Sequence, residues 1–148
     1  NTIHWGSPFS CSEDGNQNLM HTHQVVRDGS HPSGNMLWMG ATSALYAMNL
    51  SNGNDIDLNG MGNVMGVAVN PTTHVAYAGN SGGTVYTVDT GFNITNRLTL
   101  PSSIWGMAYD SGASKLYAVG NGNKTIYRVD PIAWTYAPIK VGLHAPMF

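Results

Sequence analysis

At 148 residues and 15.8 kDa the chain has room for one domain with a real core. Only 9% of its residues are charged, so Asn, Ser, Thr and Gly supply most of its polar surface, and this balance argues against a long-helix protein. A net charge of −2 with no basic stripe excludes a phosphate-backbone binder, no apolar run approaches a bilayer-spanning helix, and the lone Cys11 excludes an internal disulfide framework.

Residues 1–23 are irregular and read as an N-terminal arm or the end of a preceding unit. The chain opens without Met and without a visible signal peptide, which fits a processed product or a fragment. Trp5-Gly6 resembles the later junction Trp105-Gly106, which makes Trp5 and Trp105 candidates for partner contact. His21-Thr22-His23 is the sharpest isolated constellation. In a strand the two imidazoles share a side, and with Met20, Cys11 or His31 they form a donor set suited to copper or zinc. The competing reading is an exposed polar loop with adjacent histidines, and no cofactor is otherwise expected.

Residues 24–63 hold three apolar segments, Gln24–Asp28, Leu37–Gly40 and Ala44–Asn49, and a weaker fourth, Asp55–Asn59. The stretch from Asp28 to Asn35 reads as a long connection, which makes His31 and Asn35 candidates for interaction. Asp55-Ile56-Asp57 falls short of a calcium loop.

The next two segments, 64–103 and 104–141, repeat one pattern. Gly66-Val67-Ala68-Val69-Asn70 returns as Gly106-Met107-Ala108-Tyr109-Asp110, displaced by 40 residues. Tyr77 returns as Tyr117, and Thr84–Asp89 returns as Thr125–Asp130, displaced by 41. Tyr46 lies 40 residues before Tyr86, which makes the first segment a divergent copy. Four short alternating runs in about 40 residues are the spacing of one propeller blade. The expected fold is therefore all-β, with about three blades of four antiparallel strands. Such an incomplete ring would be completed by another chain or by missing sequence. Val67, Val69, Tyr77, Val85 and Val88 are expected to pack against Met107, Tyr109, Tyr117, Ile126 and Val129 of the next blade. Gly-rich turns such as Asn80–Gly83 serve the backbone, since no Walker lysine accompanies them. Residues 142–148 form a C-terminal tail.

The segments Gly66–Asp89 and Gly106–Asp130 resemble YVTN-type and NHL-like extracellular propeller repeats, in which a Gly-opened inner strand leads through an aromatic middle strand to a strand ending in Asp. The resemblance implies a propeller and transfers no catalytic residue. It places the protein in a secreted, periplasmic or cell-surface setting, where the sequons at Asn49, Asn93 and Asn123 would be glycosylation sites.

No Gly-x-Ser-x-Gly elbow or other hydrolase set appears. Asp89 and Asp130, with Asn49 at the matching place, recur once per blade, which favours a turn role over a catalytic pair. Trp38, Trp105 and Trp134 would serve blade interfaces or a carbohydrate platform. The leading expectation is a noncatalytic extracellular binding or assembly module with a protein partner. The alternatives are a propeller subunit of a metal- or quinone-dependent oxidoreductase and a structural fragment of a larger protein.

Overall fold

The computed structural model describes residues 23–140. Twelve strands form three four-stranded antiparallel sheets in chain order. The first blade holds β1 (Val25–His31), β2 (Gly34–Gly40), β3 (Ala44–Asn49) and β4 (Asp55–Asn59). The second holds β5 (Val64–Val69), β6 (Ala76–Asn80), β7 (Thr84–Val88) and β8 (Ile94–Thr99). The third holds β9 (Ile104–Asp110), β10 (Lys115–Gly120), β11 (Thr125–Asp130) and β12 (Thr135–Lys140). Together they form an incomplete propeller. Pro138 sits in the outermost strand, where a missing N–H costs the sheet least.

The repeat is visible in the register. In β5 the pairing jumps from Val64 to Gly66, and in β9 from Ile104 to Gly106, so the same bulge recurs 40 residues apart. Strand alternation then sorts the side chains into two seams. Trp38, Leu45 and Ala47 of the first blade meet Val67, Ala76, Ala78 and Val88 of the second. Ala68, Tyr77 and Val85 on the opposite side of the second blade meet Met107, Leu116, Tyr127 and Val129 of the third. This corrects the expectation that one row of the second blade packs on the third. Val67, Val69 and Val88 face the first blade, because neighbouring positions on a strand point to opposite faces. Tyr117 and Ile126 fall outside the buried contact set for the same reason.

Two glycines set the blade spacing. A Cβ on Gly66 would lie 2.7 Å from Met107 Cγ, and one on Gly40 only 2.6 Å from the Val64 carbonyl oxygen. Gln24, just ahead of β1, links all three blades. Its carboxamide oxygen accepts the N–H groups of Val67 and Met107 at 2.9 and 3.0 Å, and its nitrogen donates to the Met107 carbonyl at 2.8 Å.

The segment from Asp28 to Asn35 is not the long loop expected. β1 continues to His31 through an irregularity after Asp28 and turns tightly into β2, so His31 pairs with Gly34.

Candidate functional site

The turns that link inner to second strands and third to outer strands bear Asp and Asn side chains tied to nearby backbone. Asp130 Oδ1 accepts the N–H groups of Ile132 and Ala133, Asp110 those of Gly112 and Ala113, and Asp89 those of Gly91 and Asn93. Asn49 takes the Ser51 N–H in the first blade. These bonds account for the recurrence of Asp or Asn once per blade as turn chemistry. They also act on charge. The Lys115 ammonium at 2.7 Å, followed by the Ala133 and Ile132 N–H groups, holds the Asp130 carboxyl well below the usual carboxylate range. The Asn93 N–H and side-chain amide lower Asp89 in the same way.

Each turn leading to the outer strand places one residue in the left-handed region: Gly53 at φ 77°, Phe92 at 64° and Trp134 at 54°. The two aromatics reach back across the seams. Phe92 lies 5.5 Å from the His31 ring and 5.9 Å from Trp38. Trp134 lies 6.2 Å from Tyr77, with the Arg97 guanidinium 5.4 Å above its own ring.

Under Phe92 the first seam buries a polar group. Asp28 and His31 are each 3% exposed. His74, on the turn after β5 and itself left-handed at φ 59°, directs Nδ1 at both Asp28 carboxylate oxygens, 3.0 and 3.1 Å away. The Ser33 N–H donates to His31 Nδ1 at 3.0 Å, so neutral His31 carries its proton on Nε2. Burial pushes His31 below the usual imidazole range, the Asp28 charge opposes that shift, and His74 adds to it.

Beside this group a depression of about 240 Å³ opens on the turn-bearing side of the first seam. Met36, Ile56 and Phe92 give it apolar walls, and Ser33, Asn49, Asn52 and Asn54 supply the polar ones. Its shape is fixed. Asn49 Nδ2 donates to the Ser33 carbonyl at 2.7 Å, Asn52 Oδ1 accepts the Asn54 N–H at 2.9 Å, and the Leu50 N–H bonds the Asn35 carbonyl at 2.7 Å. Gly34 is required here, since its φ is 121° and a Cβ would lie 2.7 Å from Asn49 Nδ2.

Several expected site residues have other duties. His31 is buried, because β1 runs on through it, and is no surface contact. Asn35 lies in β2 and accepts from Arg27 Nε at 2.9 Å. Of the metal candidates, Cys11, Met20 and His21 lie outside the described residues, as does Trp5. His23 Nε2 is 3.0 Å from Asn63 Oδ1, and no group of three metal-ligating side chains forms among the described residues. Trp105 is half-buried in β9, at the position skipped in the bulge. The sequon amides all donate internally, Asn49 to Ser33, Asn93 to Asp89 and Asn123 to the Tyr127 hydroxyl. Phe92, Asn52, Asn54 and His74 were missed as site residues. The Asn-rich run Asn49–Asn54 was a signal for the depression, and the place of Phe92 three residues after Asp89 was another.

No family model matches the sequence, and no curated protein matches it. Solved structures match it by shape. A chain of a nidogen/laminin complex superposes with a TM-score of 0.68 at 11% identity, over 83% of this chain and 48% of that one. The structure of U3-55K gives 0.66 at 10% identity, over 84% of this chain and 40% of that one. The WD40 repeats of RRP9 give 0.62 at 8% identity, over 80% and 42%. The chain thus spans less than half the length of each of these solved chains. The expectation of a secreted, periplasmic or cell-surface protein is corrected by the WD40 matches. The same shape is found in WD40 repeats, so the repeat pattern behind that expectation marks the fold and assigns no compartment. The resemblance to YVTN and NHL repeats likewise narrows to what the shapes carry: the chain has a β-propeller fold distantly similar to nidogen-type and WD40 propellers.

Proposed function

We propose that this chain is a noncatalytic propeller scaffold that binds protein at the turn-bearing side of its first seam. The observation that carries this reading is the depression, a fixed recess with Met36, Ile56 and Phe92 on its walls and amide side chains around them. Such a recess takes one large apolar side chain of a partner, while Asn52 and Asn54 offer both donors and acceptors to the partner's backbone. A rigid sheet scaffold with functional turns is a common division of labour in this kind of fold.

The test is selection of a displayed library of linear peptides on the immobilised 148-residue chain. Recovered peptides are expected to share one Leu, Ile, Phe or Trp, and to lose binding when the selection is repeated on Ile56→Asp. Circular dichroism of that variant should remain unchanged, because Ile56 is only half-buried in the outer strand β4. Failure to enrich any sequence, or binders indifferent to Ile56→Asp, overturns the proposal.

A further inference from the structure

We propose that Asn59-Gly60, on the connection from β4 to β5, is a self-modification site, where the Gly60 backbone nitrogen closes on the Asn59 side chain, ammonia leaves, and the residue becomes aspartate or isoaspartate. An Asn followed by Gly is the pair most open to this reaction, because Gly puts no side chain in the way of its own nitrogen. The sequence holds three such pairs, Asn52-Gly53, Asn59-Gly60 and Asn121-Gly122. The structure separates them.

Ring closure needs a free Gly N–H and a carboxamide able to turn toward it. The Gly53 N–H donates to the Asn49 carbonyl at 2.8 Å, and Asn52 Oδ1 is held by the Asn54 N–H at 2.9 Å. The Gly122 N–H donates to Ser102 Oγ at 3.0 Å. At the middle pair neither restraint is found among the described residues: the Gly60 N–H donates no hydrogen bond and the Asn59 carboxamide makes none. Both residues are exposed. A Cβ built on Gly60, whose φ is 92°, would meet nothing within 4 Å, so there is room for the ring.

The step balances with water as its only co-reactant. Water or hydroxide takes the Gly60 N–H proton, the nitrogen bonds to Asn59 Cγ, and the Cγ–Nδ2 bond breaks with release of ammonia. Hydrolysis of the cyclic imide at Cγ gives aspartate. Hydrolysis at the main-chain carbonyl gives isoaspartate, whose backbone runs through Cβ and Cγ and is one carbon longer. That carbon enters between Leu58 and Met61, which are 6% and 1% exposed in the core of the first seam. The Met61 carbonyl is fixed as well, accepting from Asn80 Nδ2 at 2.8 Å. Isoaspartate therefore loosens the docking of the second blade on the first, whereas aspartate adds only a charge on an exposed side chain. Asn52 and Asn54 of the recess lie at the other end of β4, so the reaction is independent of peptide binding there.

The test incubates the folded 148-residue chain in warm, mildly alkaline buffer and follows each replacement of NH2 by OH, residue by residue, by tandem mass spectrometry. Asn59 is expected to convert about tenfold faster than Asn52 and Asn121, and the three rates should converge in urea. Ser102→Ala, which removes the acceptor of the Gly122 N–H, should speed conversion at Asn121 about tenfold. An isoaspartate methyltransferase with a labelled methyl donor should tag the aged chain and leave aged Asn59→Gln untagged. The isoaspartyl fraction should unfold at lower urea than fresh Asn59→Asp. A folded chain in which Asn52 or Asn121 keeps pace with Asn59, or in which Asn59 stays intact while the unfolded chain reacts, overturns the proposal. Indifference of Asn121 to Ser102→Ala overturns protection through the Gly N–H, and an isoaspartyl fraction as stable as Asn59→Asp overturns the effect on the seam.

Discussion

The first seam buries a carboxylate and an imidazole, where the second buries tyrosine phenols. His31 lies against Phe92 and Trp38, and the ring of His74, which is paired with Asp28, is 6.1 Å away. At the matching places of the second seam, Tyr77 stacks on Tyr109 at 5.6 Å under Trp134, and Asn70 bonds the Tyr109 hydroxyl at 3.0 Å. Both seams follow one plan, an aromatic on the middle strand capped by another from a left-handed turn. The difference teaches that the repeat conserves shape while its polar content is free to change. One seam is thereby made sensitive to acid, and the other to base.

Removal of the middle-strand aromatic should do the most harm. Trp38 is fully buried, and Trp38→Ala should cost about 3–5 kcal/mol of stability by lost burial and a cavity. Its indole nitrogen has no hydrogen-bond partner among the described residues. Trp38→Phe should therefore cost much less than the alanine change in urea denaturation, and equal losses would show that the N–H matters after all.

The second expectation separates the seams by pH. The folded state holds His31 below its unfolded value of 6.5, chiefly through burial. The neutral ring is thus favoured on folding, and its contribution is complete above pH 6.5 and lost as the pH falls through the lowered folded value. Burial raises the Tyr77 phenol above 10.0, so its contribution is complete below that value and lost as the pH rises through the folded one. Hydrogen exchange should show the first seam loosening on acidification while the second holds. His31→Phe should flatten the acid limb of a stability profile, and an unchanged limb would assign it to another group.

The smallest effect is expected at the rim of the second seam. Arg97 stacks on Trp134 and donates to Thr87 Oγ1 at 2.8 Å, but is solvent-exposed. Arg97→Ala should cost about 0.5–1 kcal/mol, read as a small drop in midpoint. A loss as large as that of Trp38→Ala would mean that the cap, and not the buried ring, holds a seam together.

Much of this was written in the sequence, because the fold repeats itself. Tyr77 and Tyr117, the paired Gly66 and Gly106, and one Asp or Asn per outer turn were legible as displacements of 40 or 41 residues. The outer strand of the first blade, Asp55–Asn59, was placed at its observed bounds. What lay beyond reach depended on three-dimensional phase. An irregularity after Asp28 carries His31 into a strand and under a neighbouring blade, and no local propensity announces it. The side of the second blade that meets the third is fixed by which neighbour each strand face finds, which periodicity leaves open. His74 and Phe92 adopt a backbone conformation unusual for their side chains, so their return across the seam was equally hidden.

Gln24 also bears on the order in which the molecule matures. Its bonds to Met107 bridge 83 positions of the chain, and they form only after the inner strand of the third blade has left the ribosome. Contacts of such separation are slow to close and add to the topological complexity of folding. Within the first two blades this anchor holds only the Val67 N–H, one of its three bonds. Docking of the third blade completes the clasp, so this one carboxamide ties the start of the first blade to the inner strands of the other two.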